Sequence, residues 1–228
     1  IIGCEEKLNK IEAADVDRLY ADIGAKSREE AAKYISVGEP ACYMGEFREL
    51  CGNRVTAKAL DDRVGCYILI EAIKKTPVLY NDVFFVFSVQ EEVGLIGATT
   101  SAFRISPDIG LAVDITGAFD TPDNKNGNTV LGGGAAIKVL DNSAICDTYL
   151  VEEMVECARS NNIAYQMDVL AAGGTDAGAI NKSNYGVKSC AISIPTRYGH
   201  SSYGIVSMDD VNACIDLLSN YINMEFHF

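Results

Sequence analysis

The chain has 228 residues, of which 48% are hydrophobic and 22% charged, a composition typical of a globular protein with a full core. Its 32 acidic residues outnumber its 19 basic ones and give a formal net charge of -13. This balance, with no basic run, disfavours a protein that tracks nucleic-acid phosphates, which needs clustered Lys and Arg. With no apolar stretch of about 18 residues and no signal peptide, we expect no membrane partner.

Residues 1–56 consist of short segments of mixed and charged composition. This pattern indicates part of a small accessory domain. Strand-like pieces occur at Leu19–Ile23 and Cys42–Phe47, and Ser27–Glu30 forms a capping box at the start of a helix. The chain begins at Ile1 without an initiating Met, so we expect further sequence upstream.

Helices and strands alternate from Lys58 onward. This alternation predicts an α/β protein, with a sheet layered by helices on both faces. The three predicted helices cover Val64–Lys74, residues 150–158 and a segment that starts at Ser207, with Asp210 three residues later. The four predicted strands are Val83–Val89, Ile109–Val113, Ile163–Val169 and Ser189–Ile194. Gly132–Gly134 lacks the Lys and Ser or Thr of a phosphate loop, and indicates a turn or a close backbone approach.

The eight cysteines form no C-x-x-C pair, so the sequence does not predict a zinc knuckle. Cys157 and Cys214 fall in helical patterns and Cys190 in a strand pattern. Buried free thiols are typical of a reducing compartment, and we therefore expect a cytoplasmic protein.

The pair Glu91 and Glu92 closes the apolar run Val83–Val89. A run so short and apolar predicts a strand buried on both faces, and two carboxylates at its end are costly unless a metal or a reaction uses them. The carboxyl ends of strands in open α/β sheets are where ligands bind. Because neighbouring side chains on a strand point in opposite directions, we expect the two glutamates to have different functions.

Three further ionisable residues stand where predicted strands or turns converge. Asp61 precedes a helix, Asp114 ends the strand Ile109–Val113, and His200 follows the strand Ser189–Ile194. Carboxylates mixed with imidazole suit a divalent ion such as zinc, cobalt or manganese, and a shared carboxylate can bridge two ions about 3.5–4 Å apart.

Each of these residues also has an ordinary structural explanation. Asp61 or Asp62 could cap the following helix, and Asp114 could close a turn. The glutamate pair could be a solvated strand end, and His200 an ordinary surface histidine. Of the four positions, three nevertheless follow predicted buried strands: the glutamate pair, Asp114 and His200. This shared location favours a common site.

Five motifs that appear in order along the chain resemble the co-catalytic metallo-aminopeptidases, which include the glutamyl, deblocking and tetrahedral aminopeptidases. The resemblance runs over nearly the whole chain, from Ile1 to about Asn220. The motifs are Ala57–Arg63, Val89–Gly94, Ala112–Asp114, Gly174–Ala177 and Pro195–Ser201.

The resemblance implies a function for each motif residue. Asp61 would bridge two divalent ions, zinc or cobalt and possibly manganese, with Glu92 and His200 completing one ion and Asp114 holding the other. Glu91 would be the general base of a metal-activated water that removes N-terminal residues from peptides. The loop with Gly174, Thr175 and Asp176 would lie beside the substrate; otherwise it is a tight turn that opens a helix.

The resemblance also implies the architecture. The catalytic domain, residues 57–228, would be a three-layer α/β/α zinc-peptidase-like domain with a mixed sheet. Residues 1–56 would be the C-terminal part of an inserted β-barrel used in oligomer contacts. We therefore expect a homo-oligomer, from a dimer to a dodecamer.

The chain departs from the family pattern in two places. The family has a second metal-binding histidine, in an H-x-D motif upstream of the inserted domain, and the only other histidine here is His227 at the C-terminal end. We therefore expect one bound ion or none, and the missing piece would also contain the first strands of the sheet. In addition, Gly204 stands where relatives often have an acidic residue.

Two other functions remain open from the sequence. A glycosidase also uses paired carboxylates, and some relatives carry cellulase labels, but the chain has no Trp to stack on a sugar ring. A scaffolding subunit, or a single-metal fragment without activity, would fit the incomplete ligand set.

Overall fold

The computed structural model describes residues 2–4, 19–76, 79–122, 124 and 127–227. Its strands are β1 Ile2–Cys4, β2 Leu19–Ala21, β3 Arg48–Leu50, β4 Arg54–Ala57, β5 Ile109–Gly117, β6 Ala135–Leu140, β7 Tyr165–Val169, β8 Lys188–Arg197 and β9 Gly204–Ser207. Its helices are α1 Arg28–Ala31, α2 Leu60–Lys75, α3 Ile96–Ile105, α4 Thr148–Ser160, α5 Ala177–Asn181 and α6 Met208–Tyr221.

The chain divides into two compact units, residues 1–42 and 43–228. In the first unit, β1 and β2 pair antiparallel. The predicted cap at Ser27 is confirmed, because Ser27 Oγ accepts a hydrogen bond from the Glu30 N–H. The Glu30 carboxylate accepts the N–H of Lys26 and not that of Ser27, and α1 is only one turn long. Residues 5–18 of the predicted 1–56 domain lie outside the described residues. The assignment of residues 1–56 to an inserted barrel stays a prediction.

The second unit contains a mixed seven-stranded sheet centred on β8. On one edge β8 pairs in parallel with β5 along its length, and on the other it pairs antiparallel with β6 and then with β9. Strand β9 continues the sheet to β4 and β3, while β6 continues it to β7. The mixed α/β sheet predicted from the alternation of elements is confirmed.

The two faces of the sheet are covered by different helices because side chains alternate along each strand. Cys190, Ile192 and Ile194 of β8 belong to the main core with α2, α4 and α6. Between them, Ala191 packs with Ala112 of β5 and Ala177 of α5 in a second cluster. The small alanines allow α5 to approach closely, and α3 packs beside it.

The apolar pattern predicted α2, α4, α6, β5, β7 and β8 correctly, and the patterned cysteines Cys157, Cys190 and Cys214 are free and buried. The Gly132–Gly134 reading is also confirmed, since a Cβ on Gly134 would lie 2.2 Å from the backbone of Ala164. None of the described helices has both the length and the hydrophobicity needed to cross a membrane.

Two predictions about the sheet are wrong. Residues 83–89 form no strand, and Phe84, Phe87 and Val89 are exposed, because no neighbouring described strand pairs with the segment. Strand β5 runs to Gly117, so Asp114 lies inside it rather than at its end. The parallel ladder with β8, which continues to Thr196, supports these extra residues.

A third prediction, the strand-like piece Cys42–Phe47, is also wrong. Residues 41–47 form no strand, and β3 begins at Arg48.

Candidate metal centre

The start of α2 is irregular and places two aspartates before the regular helix. Ala59 has a positive φ of 54°, the Asp61–Asp62 peptide bond is cis, and both aspartates have non-helical torsions. Asp62 Oδ1 accepts a hydrogen bond from the Gly65 N–H at 3.2 Å, so Asp62 is the residue that caps the helix. A Cβ at Gly65 would lie 2.1 Å from the Asp62 carboxylate, which explains the glycine.

Glu91 and Glu92 lie in a tight turn between the extended residues 82–88 and α3. The carbonyl of Glu91 accepts hydrogen bonds from the N–H groups of Gly94 and Leu95, and the Gly97 N–H bonds back to the carbonyl of Val89. A Cβ at Gly97 would lie 2.5 Å from the Val89 nitrogen, so the turn requires glycine there. This closed turn fixes the backbone of both glutamates.

Asp114 and His200 reach the same region from β5 and from the turn after β8. Asp114 is opposite Ser193 in the ladder, and one carboxylate oxygen accepts the Ile115 N–H at 2.7 Å. His200 has a positive φ of 56°, and its side chain is 73% exposed. The imidazole is therefore open to solvent, whereas Asp114 is half-buried in the sheet.

The structure brings these side chains into two overlapping groups of three. Nε2 of His200 lies 3.1 Å from Asp61 Oδ2 and 3.4 Å from Glu92 Oε2. In each group the potential ligand atoms lie within 4.8 Å of one another. The groups are Asp61, Glu92 and His200, and Asp61, Asp62 and Asp114. Asp61 belongs to both.

Burial and mutual repulsion raise the pKa values of these carboxyl groups and so disfavour their ionised forms. Desolvation, followed by the charges of Asp114 and Asp61, raises the pKa of Asp62 to about 9. Desolvation, followed by the charges of Asp61 and Glu91, raises the pKa of Asp114 to about 8. For Glu91, desolvation and then the charge of Asp176 raise the pKa to about 7. A positive charge at the cluster would relieve this repulsion.

In the loop 174–176, Asp176 belongs to the acidic cluster, whereas Gly174 and Thr175 pack against the rest of the protein. Asp176 accepts a 2.5 Å hydrogen bond from Ser88 Oγ, while its other oxygen is buried without a partner among the described residues. Thr175 is buried with its hydroxyl 3.5 Å from Asp141, and a Cβ on Gly174 would lie 2.6 Å from the Ser143 side chain. Only Asp176 has its charge near Glu91 and Asp114.

Sequence reasoning missed two contributors to this region, Asp62 and Ser88, and one ion pair at the end of β8. Asp62 was considered only as a cap, although its position beside Asp61 was a usable signal. Nothing in the sequence indicated that Ser88 would donate a hydrogen bond to Asp176. Nor did it indicate that Arg197 would form a bidentate ion pair with Asp120, with N–O distances of 2.7 and 2.8 Å. These two contacts join residues that are far apart in the chain.

The donor set fits a divalent ion. Asp61, Glu92 and His200 combine two carboxylates with an imidazole, which suits zinc, cobalt or manganese. The second group offers oxygen atoms only, and one Asp62 oxygen already accepts the Gly65 N–H. The structure is therefore an α/β protein whose helix-layered sheet carries clustered carboxylates and a histidine with donor atoms that suit a divalent ion.

The chain belongs to the M42 glutamyl aminopeptidase family, whose profile matches residues 4–217. A protein of Acetivibrio thermocellus that carries a provisional aminopeptidase name is 47% identical over 214 residues. The match covers 94% of this chain and 64% of that protein. The chain therefore spans less than two thirds of the length of this relative.

Solved structures agree with this assignment. The aminopeptidase APDkam598 from Desulfurococcus kamchatkensis superposes with a TM-score of 0.93 at 39% identity, covering 97% of this chain and 64% of that one. The TET1 peptidase of Pyrococcus horikoshii, described as assembling into a tetrahedron or a large octahedral shell, has a TM-score of 0.82 at 35% identity, with coverages of 96% and 65%. A Thermotoga maritima protein described as an endoglucanase also matches, with a TM-score of 0.73 at 29% identity and coverages of 91% and 61%.

Proposed function

We propose that this chain is the catalytic part of a metal-dependent aminopeptidase. The observation that carries the proposal is that two groups of potential ligands share Asp61. A shared carboxylate is the arrangement expected of two-metal hydrolases. Membership of the glutamyl aminopeptidase family supports peptides with a free N-terminus as the substrate class.

Each residue of the cluster has a separate proposed function. Glu92 and His200 would hold one ion together with Asp61, and Asp114 would hold a second with Asp61. When bound, such ions acidify a water molecule and polarise the peptide carbonyl. Zinc, cobalt and manganese all suit these donors.

Glu91 is the proposed general base. It belongs to neither ligand group, so its carboxylate remains available to take a proton from the attacking water and to pass it to the leaving amine. Its adjacency to Glu92, and the charges of Asp176 and Asp61 that act on its carboxyl group, support this function. We propose the same division between the two glutamates that their adjacency on the chain predicted.

The acidic cluster would also select the substrate end. A free α-amine is cationic at neutral pH and is attracted to a site with many carboxylates. Asp176, with one buried oxygen unpartnered among the described residues, is the member of the 174–176 loop best placed to face it. Thr175 and Gly174 would support the loop through Asp141 and Ser143.

The second ion would need a further ligand, so we propose that this chain by itself holds a single ion. Among the described residues, no main-chain N–H bonds to the side chains of the group with His200, whereas in the other group Asp62 already accepts the Gly65 N–H. A non-catalytic, scaffolding role is the second candidate, and the incomplete second group favours it. The zinc content of the dialysed chain, measured by inductively coupled plasma mass spectrometry, tests the number of bound ions. Two tightly bound ions per chain would contradict the proposal.

Hydrolysis of aminoacyl-nitroanilides, with zinc, cobalt or chelator, tests the activity itself. Activity that depends on the metal supports the aminopeptidase. Metal binding without turnover, in a chain that is folded by circular dichroism, would support the scaffold instead.

The endoglucanase description of the Thermotoga maritima protein keeps glycosidase activity as a further candidate. The absence of Trp from the sequence argues against a sugar-stacking platform. Release of reducing sugar from a soluble glucan in the presence of chelator would favour it over the peptidase.

We also propose that the protein self-assembles and acts in the cytoplasm. The assembly described for the Pyrococcus horikoshii peptidase supports the first statement. Buried free thiols at Cys146, Cys157, Cys190 and Cys214 support the second, because such thiols suit a reducing compartment.

A further inference from the structure

His200 lies in a short turn that joins β8 to β9. The turn begins after Arg197, the last residue of β8, which is opposite Ile205 in the antiparallel ladder with β9. Tyr198 and His200 have positive φ values of 58° and 56°. Such torsions are unfavourable for residues other than glycine and persist only where surrounding contacts hold them. The turn therefore depends on contacts with the rest of the protein.

The imidazole of His200 does little to hold this turn. Its side chain is 73% exposed, and its polar contacts among the described residues are with Asp61 at 3.1 Å and Glu92 at 3.4 Å. Both carboxylates are themselves potential metal ligands. The place of the imidazole beside them is therefore set mainly by the main chain of the turn.

A bidentate ion pair lies at the base of the turn. Nε of Arg197 is 2.7 Å from Oδ1 of Asp120, and Nη2 is 2.8 Å from Oδ2. Both side chains are only 20% exposed. The hydrogen bonds from Arg197 hold the pKa of the Asp120 carboxyl below its usual range, so the pair is ionised at neutral pH. Two parallel hydrogen bonds from a planar guanidinium fix its orientation as well as its distance.

Asp120 is itself anchored to the end of β5. The strand ends at Gly117, and the N–H of the next residue, Ala118, donates to the carbonyl of Thr196 at 2.9 Å. One oxygen of Asp120 also accepts the Leu131 N–H at 3.3 Å. The carboxylate that binds the guanidinium therefore belongs to a segment that is tied to the sheet on both sides.

The ion pair thus joins the ends of two strands that serve different ligand groups. Asp114 of β5 belongs to one group, and His200, after β8, belongs to the other. The turn also touches β5 directly, since a Cβ on Gly199 would lie 3.0 Å from Cδ1 of Ile115. Movement at the base of the turn would consequently change the distance between the imidazole and the carboxylates.

We propose that Asp120 and Arg197 are positioning residues: their ion pair holds the turn after β8 so that the His200 imidazole faces the two carboxylates of its ligand group. Neither residue belongs to a ligand group, so both act through His200. The ordering of the turn requires no bound ion. Its consequence for metal affinity rests on the proposed function.

Backbone dynamics of the intact chain in the presence of chelator provide the first test. Nuclear magnetic resonance relaxation should give amide order parameters of about 0.85 at residues 199–201, and Arg197→Met and Asp120→Asn should each lower them to below about 0.6. Lys188→Met is the matched control, because it removes the same charge and a 3.4 Å contact with Asp147 at the opposite end of β8. This control should leave the turn rigid, and circular dichroism shows that each variant is folded.

Zinc affinity at fixed pH, measured by competition with a chromophoric chelator, provides the second test. Arg197→Met and Asp120→Asn should each weaken zinc binding about tenfold, although they change the net charge in opposite directions. A purely electrostatic effect would instead strengthen binding in Arg197→Met, because a nearby cation is lost. Arg197→Lys keeps the charge without the bidentate geometry and should give an intermediate affinity. The double variant should bind zinc no more weakly than the weaker single variant.

Unchanged order parameters in both single variants would overturn the proposal. Opposite changes of zinc affinity in the two, or losses that add in the double variant, would also overturn it. If Arg197→Met does not fold, Asp120→Asn carries both measurements. An unsubstituted chain that binds no zinc would contradict the proposed function instead, and the relaxation measurements would then decide the positioning by themselves.

Discussion

At the scale of single residues, the cluster around Asp61 illustrates how neighbours in sequence acquire different environments. Asp61 is shared by both ligand groups, whereas the adjacent Asp62 accepts the Gly65 N–H. Glu92 lies 3.4 Å from His200, whereas Glu91 is outside both groups. Adjacent carboxylates should therefore respond differently to the same substitution.

Glu91→Gln should abolish turnover and leave the metal content unchanged, because the amide cannot accept the proton from water but no ion ligand is lost. Glu92→Gln should lower metal content as well, since a neutral amide is a weaker ligand than a carboxylate. Metal analysis and nitroanilide hydrolysis of both variants measure the difference. Equal metal content with equal loss of activity in both would contradict the division of functions.

At the scale of elements, buried polar contacts fix how loops and strands meet. The carboxylate of Asp210 in α6 is buried and accepts the N–H groups of Gly132 and Gly134, each at 2.7 Å. Lys138 of β6 is equally buried, and its Nζ lies 2.5 Å from Asp168 of β7 and 3.2 Å from Thr116. The first contact joins the loop at residues 132–134 to α6, and the second joins β6 to β7. The hydrophobic pattern of the sequence does not predict either contact.

Asp210→Ala should reduce the free energy of unfolding by roughly 2–5 kcal/mol, because it leaves two buried N–H groups without acceptors. The neighbouring Asp209→Ala is the matched control: Asp209 is exposed and accepts one hydrogen bond from Asn53, so it should cost about 1 kcal/mol or less. Urea denaturation measures both. A similar effect of the two substitutions would show that the loop contact contributes little.

Lys138→Met should destabilise the fold by about 3–5 kcal/mol, since it leaves the Asp168 carboxylate buried without its cation. The double variant Lys138→Met with Asp168→Leu should recover most of that loss, because buried ion pairs are often replaceable by apolar side chains. A double-mutant cycle by denaturation checks the coupling. Additive losses would mean that the two side chains do not interact energetically.

At the scale of the whole molecule, an acidic chain gathers several carboxylates into one partly buried cluster. The pKa of Asp114 is raised from 3.8 to about 8 and that of Asp62 to about 9, with desolvation the main cause in both. In the unfolded chain both groups return to about their ordinary values. The folded chain therefore binds more protons than the unfolded chain between these values.

In the presence of chelator, the free energy of unfolding should consequently fall as the pH rises from about 4 to about 8. Urea denaturation across this range measures it. Asp114→Asn should flatten the dependence, whereas Asp216→Asn, at a half-buried position on α6 where the carboxylate pairs with Lys75 outside the cluster, should not. Stability that rises steadily over this range in the unsubstituted chain would contradict the prediction, and added zinc should reverse the fall by binding the folded state.

The sequence by itself determined the elements that have an apolar face of their own. Helices α2, α4 and α6 and strands β5 and β8 follow from hydrophobic periodicity, since each buries its side chains against a core present in the chain. The ordered motifs also identified Asp61, Glu92, Asp114 and His200, and the structure brings all four into the two ligand groups. The local sequence pattern suffices where an element has a continuous apolar face that the core of this chain covers.

Only the tertiary structure decided the remainder, because it depends on partners distant in the chain. Residues 83–89 are as apolar as any strand of the protein, yet they pair with no described strand, and strand structure requires a hydrogen-bonded neighbour. In the same way, no local signal joins Ser88 to Asp176 or Arg197 to Asp120. Sequence pattern specifies which surfaces of a segment must be covered, and the assembled sheet specifies what covers them.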